Sequence, residues 1–558
     1  MKKLMEENLR RVKGANNSAV LLLGAAIVIV VILIALIAFL LLKGGSKGVG
    51  GASNLASYFP QDTLIYAELN ITEEKLKTLQ KLSGDAFTLE KMAEGIKHAI
   101  NNPSDTIEAV ELLDELSKTL EPIGAMGMWG MDATTSQPEK VLLAAVVKDP
   151  DNVAKLFEKA SDGNTTFSPK SIDGLDYYIS DKTGGYVVFD NTLLMSDKVE
   201  TLQEAIALHK DKKDTVLSNS EAKNVLENLP PERFFTMLIN TATINKMTAN
   251  TPGMKLGGDN ETMQQIFETM SYVGMGIDLH NDVLEGKFYA PYSLESITNP
   301  EMKANLGKIF VASSKLDAPK ALPGDTFMFV SLSGVSYYIQ TITQTLEPSK
   351  REEYTQFKNM VKQFTKLEVE TDILPLFAEE FTFGARCAGT EVDPIIVLTA
   401  KPESMQVLNK LVSTLTMFDP SASTSQKDLG GSTFSIISSS QSPFDLAFGE
   451  VTDVITLGKA STLETVADAV KNPDKSLAKS SIYKDLSTYV PQKVSFAMFI
   501  NFDKLVEASK AMKQNPDKIK ELEKMSENMS AMIFSATNKD GKSIEGNFLV
   551  KFKGKNNQ

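Results

Sequence analysis

Apolar and polar positions alternate in short runs along most of this chain, and the runs recur in the same order twice. Thr63–Leu69 and Thr326–Leu332 each read as a strand entered from a Pro-x-Asp-Thr turn, where proline fixes φ and the Asp side chain can bond local amides. Helical periodicity follows over Glu73–Leu120 in the first case and Gly334–Phe364 in the second. A strand pair comes next, Met126–Met131 with Val141–Val147, echoed by Phe381–Cys387 with Ile395–Thr399. Each pair leads through Pro150-Asp151 or Pro402-Glu403 into a helix, since proline and an acidic residue suit a first turn. Tyr177–Ser180, Tyr186–Phe189 and Leu193–Met195 read as short strands. Val199, Leu202, Ala205 and Ile206 then mark the apolar face of a helix. A strand at Phe234–Asn240 and a hairpin turning at His280-Asn281-Asp282 close the first pass; the second closes at Asn538-Lys539-Asp540-Gly541.

The residues themselves repeat. Asp62, Thr63 and Leu69 match Asp325, Thr326 and Leu332 at an offset of 263. Lys198, Thr201, Leu202, Pro230, Met237, Ile239 and Asn240 match Lys459, Thr462, Leu463, Pro491, Met498, Ile500 and Asn501 at 261. Glu285-Gly286 matches Glu545-Gly546 at 260. An offset that drifts so little marks a tandem duplication with a period far longer than a solenoid repeat, so each copy should own a core. Strands joined by hairpins with helices grouped between them predict α+β architecture with largely antiparallel sheets.

Ala19–Leu42 differs from everything else: 24 uncharged residues, about 36 Å as a helix, long enough for a hydrocarbon core of about 30 Å. Lys2, Lys3, Arg10, Arg11 and Lys13 precede it, and only Lys43 and Lys47 closely follow. The expected topology is therefore a cytoplasmic N-terminus and an extracytoplasmic body. A cleaved signal peptide is the rival, but its apolar region would be about 7–15 residues. The only cysteine, Cys387, lies far from the run, which excludes a lipoprotein anchor. The expected organisation is a cytoplasmic tail (1–18), a transmembrane helix (19–42), a Gly-rich linker (43–57), an α+β repeat (58–292), a connector (293–318), a second α+β repeat (319–553) and a tail (554–558).

Charge separates along the same boundaries. The chain carries −13 overall, yet residues 1–57 hold seven basic and two acidic residues, a net of +5 that leaves −18 on the body. An acidic body is repelled by phosphate backbones, and no basic stripe with interleaved aromatics occurs, so nucleic acid is not an expected partner.

The opening Phe59-Pro60-x-Asp62-Thr63-x-x-Tyr66-x-x-Leu69-Asn70, after an apolar run and a glycine-rich tether, resembles the bacterial membrane-anchored or exported proteins of domain of unknown function family 3352. Leu322-Pro323-Gly324-Asp325-Thr326 repeats that opening. The resemblance implies an envelope-facing protein and carries over no functional residue.

Candidate chemistry is sparse. The chain has no phosphate loop, GxGxxG, HExxH, GxSxG or EF-hand signature. His98, His209 and His280 lie far apart, and no catalytic, cofactor or metal residues are expected. Cys387 alternates with Phe381, Phe383 and Ala385, which reads as a small core residue. The 23 methionines, clustered at Met126, Met128 and Met131 and again at Met525, Met529 and Met532, read as core filling or as an adaptable apolar surface. Ser421–Ser442, with nine serines, reads as a loop flanking a strand. The expectation is a non-enzymatic binding or scaffolding module of the cell envelope with a protein partner. The alternatives are a carrier or sensor of an apolar or lipid ligand and an envelope hydrolase.

Overall fold

The computed structural model describes residues 54–553, apart from 84–117, 132–137, 161–166, 181–183, 249–266 and single or paired positions at 298, 312, 347, 390, 420, 441, 443–444 and 540. The chain folds into two compact units that exchange at residues 282–294.

Unit 1 is built on an antiparallel sheet of β1 (Ile65–Asn70), β2 (Leu120–Met131), β3 (Pro138–Val147), β4 (Phe167–Ile172), β5 (Leu175–Ser180), β6 (Gly185–Phe189), β7 (Thr192–Ser196), β8 (Phe235–Ile239), β9 (Val273–His280) and β10 (Val283–Pro291). Pairings place them in the order β4-β5-β6-β7-β3-β2-β1-β8-β9-β10. Helices Val199–Asp211 and Ser220–Glu227 close one face. Leu202, Ala205, Ile206, Ala222 and Val225 pack there with Tyr66, Leu142, Leu194 and Leu238 of the strands.

Unit 2 contains β11 (Ser314–Lys315), β12 (Thr326–Ser333), β13 (Glu380–Ala388), β14 (Glu391–Thr399), β15 (Ser423–Leu429), β16 (Ser432–Ser438), β17 (Leu446–Val451), β18 (Val454–Lys459), β19 (Lys493–Val494), β20 (Phe496–Asn501), β21 (Met529–Lys539) and β22 (Ser543–Phe552). Its sheet runs β15-β16-β17-β18-β14-β13-β12-β20-β21-β22, the unit 1 path strand for strand; β11 and β19 form a separate pair. Helix Ala460–Lys471 takes the place of Val199–Asp211, with Leu463, Val466 and Ala467 buried against Phe329, Ile395 and Val397.

The repeated turn does the same job in both units. The Thr63 amide donates to the Pro60 carbonyl and the Thr326 amide to that of Pro323, each at 3.0 Å. The preceding apolar side chain then lies over a glycine of the neighbouring strand. A Cβ at Gly127 would stand 2.3 Å from Phe59 Cδ1, and one at Gly384 would stand 2.7 Å from Leu322 Cδ2. Only hydrogen fits there.

The structure corrects two expectations. The anticipated fold class included an N-terminal transmembrane helix, but among the described residues no helix is long and apolar enough to cross a membrane. The longest, Pro348–Thr365, has 18 residues and carries Lys350, Arg351, Glu352, Glu353, Lys358 and Lys362, whereas a span needs about 20 predominantly apolar ones. Ala19–Leu42 lies outside the described residues; among those that are described the fold class is α+β with largely antiparallel sheets and no helix that could span. The serine-rich stretch is not a loop but the hairpin β15–β16, turned at Gly430 and Gly431 with φ of 60° and 80°. Exposure of nearly all of β15 removes the apolar alternation by which a strand is recognised.

Candidate functional site: an open apolar face

The second face of each sheet is apolar as well, which is unusual for an antiparallel sheet facing solvent. In unit 2 the pairing register aligns Leu457, Ile396, Phe383, Val330, Met498, Phe534 and Phe548 in one row across seven strands. At about 4.8 Å per strand the row is roughly 29 Å long. None of the seven is buried, and Phe383, on a central strand, is 39% exposed. On the opposite face Phe329, Ile395, Phe499, Ile533 and Leu549 are fully buried.

Helical segments cover the positions on either side of this row. Leu376, Phe377, Leu408 and Leu411 pack with Leu398 and Phe381, two residues along the strands in one direction. Leu505 and Ala508 pack with Ala385 and Met328, two residues along in the other. Side chains two residues apart on a strand stand about 7 Å apart, so the two covered rows are roughly 14 Å apart. The open row between them is a stripe rather than a broad patch.

The same row exists in unit 1 as Met195, Leu143, Met126, Ala67, Met237 and Met275. Four of the six are methionines. Here the centre is closed: Met126 and Ala67 are each 1% exposed. The open stripe therefore belongs to unit 2.

The residues singled out from sequence scatter around this feature. Phe383, expected in the core, is the most open member of the row. Cys387 is half-buried beside Ala385 and Met328, and burial, the largest influence, pushes its thiol up. His98 lies outside the described residues. His280 ends β9 with Nε2 3.5 Å from the buried Asp278 carboxylate, which also holds Lys75 at 2.5 Å. His209 brings together what the sequence keeps apart: Nδ1 is 2.7 Å from Ser57 Oγ, and Nε2 is 3.3 Å from Asp190. A hydroxyl, an imidazole and a carboxylate in line suggest nucleophilic catalysis, but the surroundings argue for an anchor. The imidazole is stacked on Tyr58 at 4.1 Å and edge-on to Phe189. Ser57 sits within a short helical turn whose neighbours Ala56 and Tyr58 are buried, and the Asp190 side chain is 70% exposed. The three fasten the start of unit 1 to helix Val199–Asp211. Among the described residues no group of three His, Cys, Asp or Glu side chains could hold a metal.

A family model described as a protein of unknown function, DUF3352, matches residues 22–552. The chain belongs to the DUF3352 family. No curated protein matches this DUF3352 chain. Among solved structures, TP0453 in crystal form III is 10% identical, with 48% of this chain and 89% of that one aligned at a TM-score of 0.25. TP0453 in crystal form I gives 9%, 48%, 88% and 0.25. Likeness at that level leaves the fold description to rest on the strand pairings above.

Proposed function

We propose that this DUF3352 chain is a non-enzymatic binding module whose unit 2 holds an apolar ligand along the open stripe. The observation that carries the reading is Phe383: an aromatic side chain on a central strand, 39% exposed, in the middle of a row of apolar side chains. Leaving that surface in water costs free energy, and a ligand that covers it recovers the cost. A stripe one residue wide between two covered rows suits an extended hydrocarbon chain. The carrier reading is thus favoured over scaffolding through an acidic surface.

The test is displacement of a fluorescent apolar probe, N-phenyl-1-naphthylamine, from the full chain. Burying a Phe side chain completely is worth about 1.5–3 kcal/mol. The exposed 39% corresponds to about 0.6–1.2 kcal/mol, so Phe383→Ser should weaken binding about three- to sevenfold while the chain stays folded. Unchanged affinity in a folded Phe383→Ser variant would remove the stripe as the site.

A further inference from the structure

One end of each sheet is the outer strand of a hairpin, and the two copies build that strand differently. Among the described residues β4 of unit 1 pairs only with β5, and β15 of unit 2 only with β16. Each hairpin turns on two residues in the left-handed region. These are Asp173 and Gly174, with φ of 51° and 78°, and Gly430 and Gly431, with φ of 60° and 80°. A turn of that kind closes on a hydrogen-bonded pair, Ile172 with Leu175 and Leu429 with Ser432. Bonded and non-bonded pairs alternate from there. The backbone groups of Phe167, Pro169 and Ser171 therefore point away from β5, and those of Thr424, Gln426 and Asp428 point away from β16.

The two hairpins align at an offset of 257: Ile172 with Leu429, Lys170 with Lys427, and Pro169 with Gln426. Unit 1 thus carries a proline at an outward position. Proline has no N–H to offer there and obstructs the addition of a further strand. Unit 2 has glutamine in its place. Ser423–Asp428 are all exposed, and no backbone hydrogen bond among the described residues reaches the outward groups of Thr424, Gln426 and Asp428. The guard present in one copy of the duplicated domain is missing from the other.

We propose that β15 is an assembly edge, which pairs antiparallel with β15 of a second copy of this chain. A two-fold axis at Gln426 brings every outward group into bonding register. Gln426 then faces Gln426 of the partner subunit, Thr424 faces Asp428 of the partner subunit, and Ser425 faces Lys427 of the partner subunit. No like charges meet. Moving the axis to Lys427 sets that ammonium against its own mate, which is unfavourable. Moving it to Ser425 leaves Asp428 facing Ala422, which lies outside the strand. A foreign peptide would need pockets for its alternate side chains, and six exposed polar residues supply none. The strand's own sequence is the complement the page offers, and an isologous contact uses up the edge and closes as a dimer.

The experiment measures self-association of the full chain by sedimentation velocity over a range of protein concentrations. Gln426→Pro copies the guard of unit 1 and removes no bond to β16. It should weaken association at least tenfold and leave the thermal midpoint unchanged. Register is read separately by disulfide capture in a Cys387→Ala background, which does not depend on how the proline variant folds. Gln426 and its mate would stand about 5.5 Å apart at Cα, within disulfide reach, so Gln426→Cys should link two chains under mild oxidation. Thr424 and its mate would lie four residues out of step, about 14 Å apart, so Thr424→Cys should not. A chain that stays monomeric overturns the proposal. So does association that Gln426→Pro leaves unchanged, and so does a Thr424→Cys link that forms as readily as the Gln426→Cys link.

Discussion

Replacing Glu380 with alanine tests how unit 2 is held to the chain that leads into it. Glu380 opens β13 at 2% exposure. Its carboxylate accepts the Asp317 amide at 3.0 Å, the Ala318 amide at 3.1 and 3.2 Å, and the hydroxyls of Ser331 and Thr382 at 3.2 Å. Burial nevertheless outweighs those donors and holds the carboxyl above the usual carboxylate range. In Glu380→Ala the two hydroxyls can turn elsewhere but the two amides cannot. At about 1–3 kcal/mol per orphaned donor the gross cost is about 2–6 kcal/mol. Relief of the buried charge offsets part of it, so about 2–4 kcal/mol is expected.

Glu380→Gln keeps a carbonyl oxygen for the amides and should cost less than about 1 kcal/mol. The pH dependence has a definite sign. With the folded value raised, the native state keeps a proton that the unfolded chain has lost. Stability from this group is therefore greatest below the unfolded value and falls as pH rises to the folded one. Glu380→Gln should abolish that fall. Urea unfolding of the full chain, with hydrogen exchange read on peptides covering Ser314–Ser333 and Glu380–Thr399, measures both effects. A cost below about 1 kcal/mol for Glu380→Ala, or equal costs for alanine and glutamine, would refute the reasoning.

Two further substitutions probe the repeated framework. Gly127→Ala sets a methyl against the ring of fully buried Phe59, which Tyr66 and Trp129 hold edge-on, whereas Gly384→Ala meets only the tip of Leu322. Gly127→Ala should cost about 1–3 kcal/mol and Gly384→Ala less, as measured by urea midpoints. Lys459→Met strips Asp393, whose carboxylate is 5% exposed, of an ammonium at 2.7 Å and leaves Thr462 at 2.6 Å. Burial pushes the Asp393 carboxyl up, but hydrogen bonds from Lys459 and Thr462 bring it below its ordinary value. The intact pair therefore adds stability above the unfolded value that is lost as pH falls. Lys459→Met should remove that acid-side loss in a pH series of thermal midpoints.

Local chemistry in this sequence reports the strands well, because each copy keeps its Pro-x-Asp-Thr turn, its paired strands and the proline that opens the following helix. The order of strands in the sheet needed the pairings. So did the open apolar face: Phe383, Val330 and Met498 become neighbours only through the registers Val330↔Phe383 and Val330↔Met498. Period-2 alternation shows two faces on β13 and does not show that the face of Phe383 is left partly open. The methionines read as core filling or as an adaptable apolar surface, and Met126 at 1% exposure falls on the first side. Glu380 looked like one more acidic residue among 71.

The central claim, that an apolar ligand lies along the stripe of unit 2, is tested most directly by photo-crosslinking the full chain with a diazirine-bearing alkyl chain and mapping adducts by peptide mass spectrometry. The account predicts adducts on β12, β13 and β20, at Val330, Phe383 and Met498, with fewer in Phe383→Ser. The helices Val335–Thr345 and Pro348–Thr365 offer a built-in comparison, since Tyr338, Phe357 and Met360 there are 47%, 48% and 50% exposed. Adducts confined to those helices, with none on the three strands, would contradict it.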